Sequence, residues 1–266
     1  MDSIPIFSLT MPSARSRQRR QLVWLESCPC CTSTFVYNED LRAPNRNYSA
    51  PINGRIHRYD RYGVNDFSLA EYSCLLGHHL IWQKIISSKI SWALIIEDDA
   101  KPVNQNWWRD ITALAQCIET SALASTSWVV NIGISCESLK TLALKPLKWR
   151  TYPSNVTSVT PEVRELDIRL GDVWKAFSYL ISIDAAKNLL AHEELLPWTA
   201  DDWSMRLSNN SLQHMLVTTR PLFVECEDLP SQIQHHSKPI NLLKISRIKR
   251  KIITLLYRIG FGAVYY

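Results

Sequence analysis

Apolar and polar positions in this chain fall into short blocks that switch between strand and helix character. Ile4 to Leu9 reads as a first strand, followed by a loop at 10–13 and an arginine-rich helix running into Leu25. Residues 28–66 show no sustained period around a short strand at Thr34 to Tyr37, and a loop of that length is often functional. From about Leu69 to Ser87, the residues Tyr72, Leu75, Leu76, His79, Leu80 and Ile86 recur at helical spacing, which predicts a helix with an apolar face for a sheet. Ser68 and Glu71 form a capping-box pattern at its start. Trp92 to Ile96 has the length and side-chain types of a strand buried on both faces. Beyond it come a helix at Trp107 to Thr120, a buried strand and turn at Trp128 to Gly133, and a strand at Phe177 to Ile183. A helix follows at 184–192, capped by Asp184, then short late strands at Leu216 to Thr218 and Leu222 to Val224. Residues 135–172 read as irregular and suit an insertion or mobile loop. The alternation predicts an α/β fold, one domain with a mostly parallel central sheet.

The pattern changes after Ile240. Ile245, Ile248, Ile252, Leu255, Leu256 and Ile259 make one helical stripe among Lys244, Arg247, Lys249, Arg250, Lys251 and Arg258. That is the pattern of a basic amphipathic helix lying in an anionic membrane surface, and it also suits a terminal helix docked on the core or on a second copy. The chain divides accordingly into a globular domain at 1–238 and a tail at 239–266. No run of 18 apolar residues is present to span a bilayer. Ile4 to Leu9 is too short for a signal-peptide core, and its basic residues follow it, so a cytoplasmic location is expected.

Composition narrows the function classes. With 266 residues and 46% apolar content the chain can bury a full core. A net charge of +5, from 30 basic and 25 acidic residues, does not describe a nucleic-acid binder. The seven glycines form neither a phosphate-cradling loop nor a dinucleotide fingerprint, so a nucleotide would be held another way. The seven cysteines lack the spacing of a disulfide framework, which predicts free loop cysteines in a reducing compartment. Cys28-Pro-Cys-Cys31 has no second Cys/His pair at zinc-ligand spacing.

Candidate chemistry gathers at two acidic segments. The apolar run at 92–96 ends in Glu97, Asp98 and Asp99, which cannot all be buried unpaired. They fall where ligands bind in open α/β sheets, at the carboxyl end of a strand. Side-chain alternation sends Glu97 and Asp99 one way and Asp98 the other. Such a group could hold a divalent cation against a nucleotide diphosphate, or simply cap a following helix. The second segment is Pro197-Trp-Thr-Ala-Asp201-Asp202-Trp203. Its tryptophans could stack on a sugar or base and its carboxylates accept hydroxyl protons, or they could be a cap and core residues. Arg15, Arg17, Arg19 and Arg20 open the first helix, where guanidinium forks could meet a diphosphate or face solvent. His78 stands on the second helix as a further candidate beside its apolar face.

Leu69-Ala-Glu-Tyr-Ser-Cys74-Leu-Leu-Gly-His78-His-Leu-Ile-Trp82, followed by Trp92 to Ala100, resembles the paired motifs of glycosyltransferase family 25, which includes bacterial lipooligosaccharide galactosyltransferases. Supporting matches are the first strand with its downstream arginines, 128–133, Tyr179 to Ser182 leading to Ala186 and Leu190, and Pro221-Leu-Phe-Val. The resemblance implies a single Rossmann-like nucleotide-sugar transferase domain of the GT-A kind, dependence on Mn²⁺ or Mg²⁺, and inversion at the sugar carbon. Glu97, Asp98 and Asp99 would then be the metal group; Arg17, Arg19, Arg20, His78 and Trp203 would serve the donor; Asp202, with Asp201 second, would be the base. The implied donor is UDP-galactose and the implied acceptor a lipid-linked lipooligosaccharide or lipopolysaccharide core. The enzyme would sit on the inner face of a bacterial cytoplasmic membrane. The sequence departs from the family pattern at Ser73, Gly77 and 226–228, which bears on donor choice. Two rival classes share these features: a metal-dependent phosphohydrolase, with water as acceptor, and a non-catalytic carbohydrate-binding protein at the membrane surface.

Overall fold

The computed structural model describes residues 3–41, 69–134, 148–152, 162–167, 175–192, 200–201 and 203–226. Ten strands and five helices are defined there. The strands are β1 (Ile4–Thr10), β2 (Cys31–Tyr37), β3 (Trp92–Glu97), β4 (Ala100–Pro102), β5 (Trp128–Asn131), β6 (Lys148–Tyr152), β7 (Val163–Asp167), β8 (Ser178–Ser182), β9 (His214–Thr218) and β10 (Phe223–Glu225). The helices are α1 (Arg15–Leu25), α2 (Leu69–Ser87), α3 (Trp107–Glu119), α4 (Ile183–Ala191) and α5 (Trp203–Ser208).

Eight strands form one sheet in the order β2-β1-β3-β8-β5-β9-β7-β6, while β4 and β10 pair antiparallel beside it. β3 lies parallel to β1, with Leu9 opposite Glu97, and its other neighbour β8 runs against it. The sheet is therefore mixed: β8 and β7 oppose the strands they flank. A short, fully buried run reads the same in either direction, so the sequence carried no sign of the reversal at β8.

Alternation along β3 builds both cores. Ala93 and Ile95 join one cluster with Tyr72, Trp82 and Ile85 of α2, Leu189 of α4 and Trp203 of α5. Leu94 and Ile96 join the other, with Leu25 of α1 and Trp107, Ile111 and Leu114 of α3. The next two residues inherit that alternation, so Glu97 faces α2 and Asp98 faces α1. α1 is polar overall, yet Arg17, Gln21 and Leu25, spaced four apart, form its buried stripe.

Several expectations change. Within 135–172, read as irregular, β6 and β7 extend the sheet edge by pairing with each other and with β9. α4 is capped by Ser182, whose hydroxyl accepts from the Ala185 amide, while Asp184 pairs with Lys187 on the surface. Cys28 and Cys31 are disulfide-bonded across one tight turn with Cα atoms 5.6 Å apart, so they are not free loop cysteines. A single bridge within a turn leaves no framework spacing for a sequence to display. No described helix is long and apolar enough to cross a membrane. The expected cap residue Ser68 and the tail at 239–266 lie outside the described residues.

Candidate functional site

The carboxyl ends of β1, β3 and β5 and the start of β8 meet at one edge of the sheet, and the acidic junction is pinned there by its backbone. The Glu97 amide donates to Phe177 O at 2.8 Å, its carbonyl accepts from Gln21 Nε2 at 2.7 Å, and Asp99 O accepts from the Cys226 amide at 2.7 Å. Gln21 is itself oriented by the buried Ser8 hydroxyl. Fixing the backbone on either side of Asp98 this way makes the carboxylate positions a property of the fold.

Each carboxylate has a different environment. Asp98 is buried, with one oxygen 2.7 Å from Arg17 Nη1 and the other accepting from Thr10 Oγ1 at 2.8 Å. It joins α1 and β1 to the end of β3 in a charge-assisted bond. Glu97 meets α2: His78 Nε2 lies 3.3 Å and Cys74 Sγ 3.8 Å from its Oε1. Asp99 is the under-compensated member. Its Oδ2 lies 3.8 Å from the same Arg17 Nη1, and its Oδ1 is buried without a hydrogen bond among the described residues. Burial, then the charges of Glu97 and Asp98, push its carboxyl up to about 7 against the pull of Arg17.

The charge and donor type of Asp99 and Glu97 suit a divalent cation, although among the described residues the three carboxylates do not gather within 4.8 Å of one another as a three-ligand set. An unpartnered carboxylate oxygen beside a second carboxylate is an all-oxygen donor set suited to Mn²⁺ or Mg²⁺. Asp99 and Glu97 are the residues that would hold it. Asp98 already has both oxygens engaged.

α2 approaches closely enough to supply its side chains because Gly77 lies against β1. A Cβ at Gly77 would come within 2.4 Å of Leu9 Cδ1, so a serine at this position would force Leu9 to move. Behind Glu97, His78 is wholly buried; its Nδ1 lies 2.8 Å from Tyr179 Oη, and Trp82 Nε1 donates to the same oxygen at 3.1 Å. Burial raises the Cys74 thiol well above its ordinary range, with Glu97 adding to the effect, so it stays a thiol.

The second acidic segment is organised around Lys175, which has a left-handed backbone at φ 85°. For a non-glycine residue that conformation persists only where its surroundings impose it. Asp201 Oδ2 accepts the Lys175 amide at 3.2 Å, and the Lys175 carbonyl accepts from Asn131 Nδ2 at 2.7 Å and Trp203 Nε1 at 3.1 Å. The Lys175 ammonium reaches Glu225 at 2.9 Å. Trp203 is fully buried edge-on to Tyr179, so it is core and offers no stacking surface, a correction to the role expected for it.

Of the other residues expected at the site, Arg17 points inward to Asp98, whereas Arg19 and Arg20 are exposed on α1. Asp202 lies outside the described residues. Sequence reading missed Thr10, Gln21, Cys74, Asn131, Lys175 and Tyr179. The spacing of Cys74 and His78 by four on a helix was a usable signal for one face. Nothing local marks Lys175, whose conformation comes from partners distant in sequence.

Residues 48–205 match the family described as glycosyltransferase family 25 (LPS biosynthesis protein). No curated protein matches the chain. Among solved structures, it is similar to a glycosyltransferase involved in glycosylation of the major capsid of PBCV-1, at 12% identity and a TM-score of 0.40, covering 86% of this chain and 94% of that one. It is also similar to mannose-1-phosphate geranyltransferase from Thermus thermophilus, at 13% identity and a TM-score of 0.33, covering 84% of this chain and 76% of that one.

Proposed function

The chain belongs to glycosyltransferase family 25, and from that premise we propose that it is a metal-dependent inverting transferase moving galactose from UDP-galactose to a lipooligosaccharide or lipopolysaccharide core. The observation that carries the reading is Asp99, whose buried oxygen has no partner among the described residues and whose carboxyl is pushed up to about 7 at the end of β3. A site built around surplus negative charge suits a cation and the diphosphate it would bind.

Asp99 and Glu97 would hold the cation, which would supply positive charge against the diphosphate leaving group. Asp98, Arg17 and Thr10 keep the strand end in place, and the second charge-neutralising group near Asp99 is Arg17 itself. Inversion requires the acceptor hydroxyl to approach the sugar carbon from the face opposite the leaving group and to pass its proton to a base. Asp202 is assigned that role from the sequence pattern. Asp201 already accepts the Lys175 amide, which suits a positioning role. Arg19, exposed on α1, is available to an anionic partner, and Arg20 is exposed beside it. The basic tail at 239–266 would hold the enzyme at an anionic membrane face where a lipid-linked acceptor is presented.

The test is release of UDP and transfer from UDP-galactose to a truncated lipooligosaccharide, with and without Mn²⁺, for wild type and Asp99→Ala. Metal-dependent transfer that disappears in the variant is expected. Cleavage of simple phosphate esters with no UDP release from any nucleotide sugar would overturn the reading in favour of a phosphohydrolase.

A further inference from the structure

Cys74, His78 and Glu97 bring three potential metal-ligating atoms within 4.8 Å of one another. Taken alone, a thiol, an imidazole and a carboxylate at that spacing describe a zinc site. The groups behind His78 decide otherwise. An indole N–H can only donate, so in the contact between Trp82 Nε1 and Tyr179 the phenol oxygen is the acceptor. The Tyr179 hydroxyl keeps its proton, since its burial raises its ionisation well above the ordinary range. That proton is free to be donated, and the His78 Nδ1 atom lies 2.8 Å away. An Nδ1 that accepts is bare, which places the ring hydrogen on Nε2, and Nε2 faces Glu97 Oε1 at 3.3 Å.

We propose that Trp82, Tyr179 and His78 form a one-way hydrogen-bond chain ending on Glu97, which makes His78 a positioning residue for that carboxylate and excludes it as a metal ligand. The direction runs from the Trp82 N–H to the Tyr179 oxygen, from the Tyr179 O–H to His78 Nδ1, and from His78 Nε2–H to Glu97 Oε1. Cys74, held as a thiol, can add a weak second donor to the same oxygen at 3.8 Å. Two donors on Oε1 fix the rotamer of Glu97 and direct its reactivity to the other oxygen. The chain also explains how a fully buried histidine is tolerated, because both ring nitrogens have a partner suited to one tautomer.

This inference rests on the proposed function only for what Glu97 does; the direction of the chain does not depend on it. The test is the ¹⁵N spectrum of the whole protein labelled at its seven histidines, with His78 assigned by loss of its signals in His78→Gln. Wild type should show His78 as the single tautomer with hydrogen on Nε2. Tyr179→Phe, and more weakly Trp82→Phe, should convert it to a mixture, while the remaining histidines keep their wild-type signals as proof of folding. In the transfer assay Tyr179→Phe should lower kcat by roughly 10–100-fold with donor KM changed less than about threefold, as for other groups that orient a ligand from behind. His78→Gln, whose amide can still donate toward Glu97, should recover part of the activity lost in His78→Leu. An Nδ1–H tautomer in wild type, an unchanged tautomer in Tyr179→Phe, or a His78 Nε2 signal shifted stoichiometrically by Zn²⁺ alone would each overturn the proposal. A locked Nε2–H tautomer in a protein that transfers no sugar would support the chain and defeat only the transferase reading.

Discussion

At the end of β3 Asp99 keeps one buried oxygen without a hydrogen bond among the described residues, whereas Asp201 accepts the amide of Lys175 and holds a left-handed turn in place. Both belong to runs of adjacent carboxylates in segments that contain tryptophan, and Lys175, which Asp201 holds, lies just before the strand that pairs with β3. The difference is in what reaches them. Around Asp99 the nearest groups are Glu97, Asp98 and one shared guanidinium, so charge is left over. The groups that gather with Asp201 at the Lys175 turn are amides and an indole, whose hydrogen bonds close on one another. A carboxylate with charge left over can recruit a ligand; one engaged by a backbone amide shapes the wall around it.

The widest separation between the two should be catalytic. Asp99→Ala removes the proposed metal-holding oxygen and is expected to lower kcat by about 10³-fold, since such an ion contributes several kcal/mol to the transition state. Asp201→Asn retains an oxygen that can accept the Lys175 amide and should stay within about threefold of wild type. A loss in Asp201→Asn as deep as in Asp99→Ala would make Asp201 the base and erase the contrast.

Next in size is the buried pair that holds the junction together. Arg17→Ala leaves Asp98 buried with Thr10 as its hydrogen-bond partner among the described residues, and removing one partner of a buried ion pair costs about 3–5 kcal/mol. Arg19→Ala, on the exposed side of the same helix, should leave the urea midpoint unchanged. Equal midpoints for the two variants would show that Arg17 is not the structural cation described here.

These two arginines also show how far the sequence could be read. The strand at 92–96, its acidic end and the opposite facing of Glu97 and Asp98 follow from apolar run length and a period of two, and the structure has them. Arg17 and Arg19 were indistinguishable in a helix of mean polar character; only the stripe of Arg17, Gln21 and Leu25 separates them, and two of its three members are polar. A hydrophobicity pattern cannot register a buried face made of hydrogen-bonding groups. Trp203 was misread for the converse reason: its indole N–H has a buried acceptor in Lys175 O, so the ring could enter the core. The edge strand β6 and its neighbour β7 were missed because Lys148 to Tyr152 and Val163 to Asp167 carry charges, as strands at the margin of a sheet commonly do.

A smaller effect should separate two substitutions at Asp201. Asp201→Ala removes the acceptor of the Lys175 amide and is expected to lose about 0.5–1 kcal/mol of stability, against little loss for Asp201→Asn. Equal destabilisation by alanine and asparagine, read from urea midpoints, would mean that charge rather than hydrogen bonding holds the Lys175 turn.

The smallest effect concerns the charge left over on Asp99 and has a definite sign. Its carboxyl has an ordinary value of 3.8 and is pushed up to about 7 in the folded chain. Between those values the folded state binds more protons than the unfolded one, so the stability linked to Asp99 is fully present below about 3.8 and is lost as pH rises through about 7. At pH 8 the metal-free wild type therefore carries a destabilising charge that Asp99→Asn lacks, while near pH 5 the wild-type carboxyl is mostly protonated and the two proteins resemble each other. With the side chain 30% exposed, solvent screening reduces the difference to the order of 1 kcal/mol. Urea midpoints in EDTA should show Asp99→Asn gaining on wild type between pH 5 and pH 8, and Mn²⁺ at pH 8 should narrow that gap by stabilising only wild type. A gap that does not vary with pH would mean that the charge of Asp99 is already balanced within the fold. The contrast with Asp201 would then lose its physical basis.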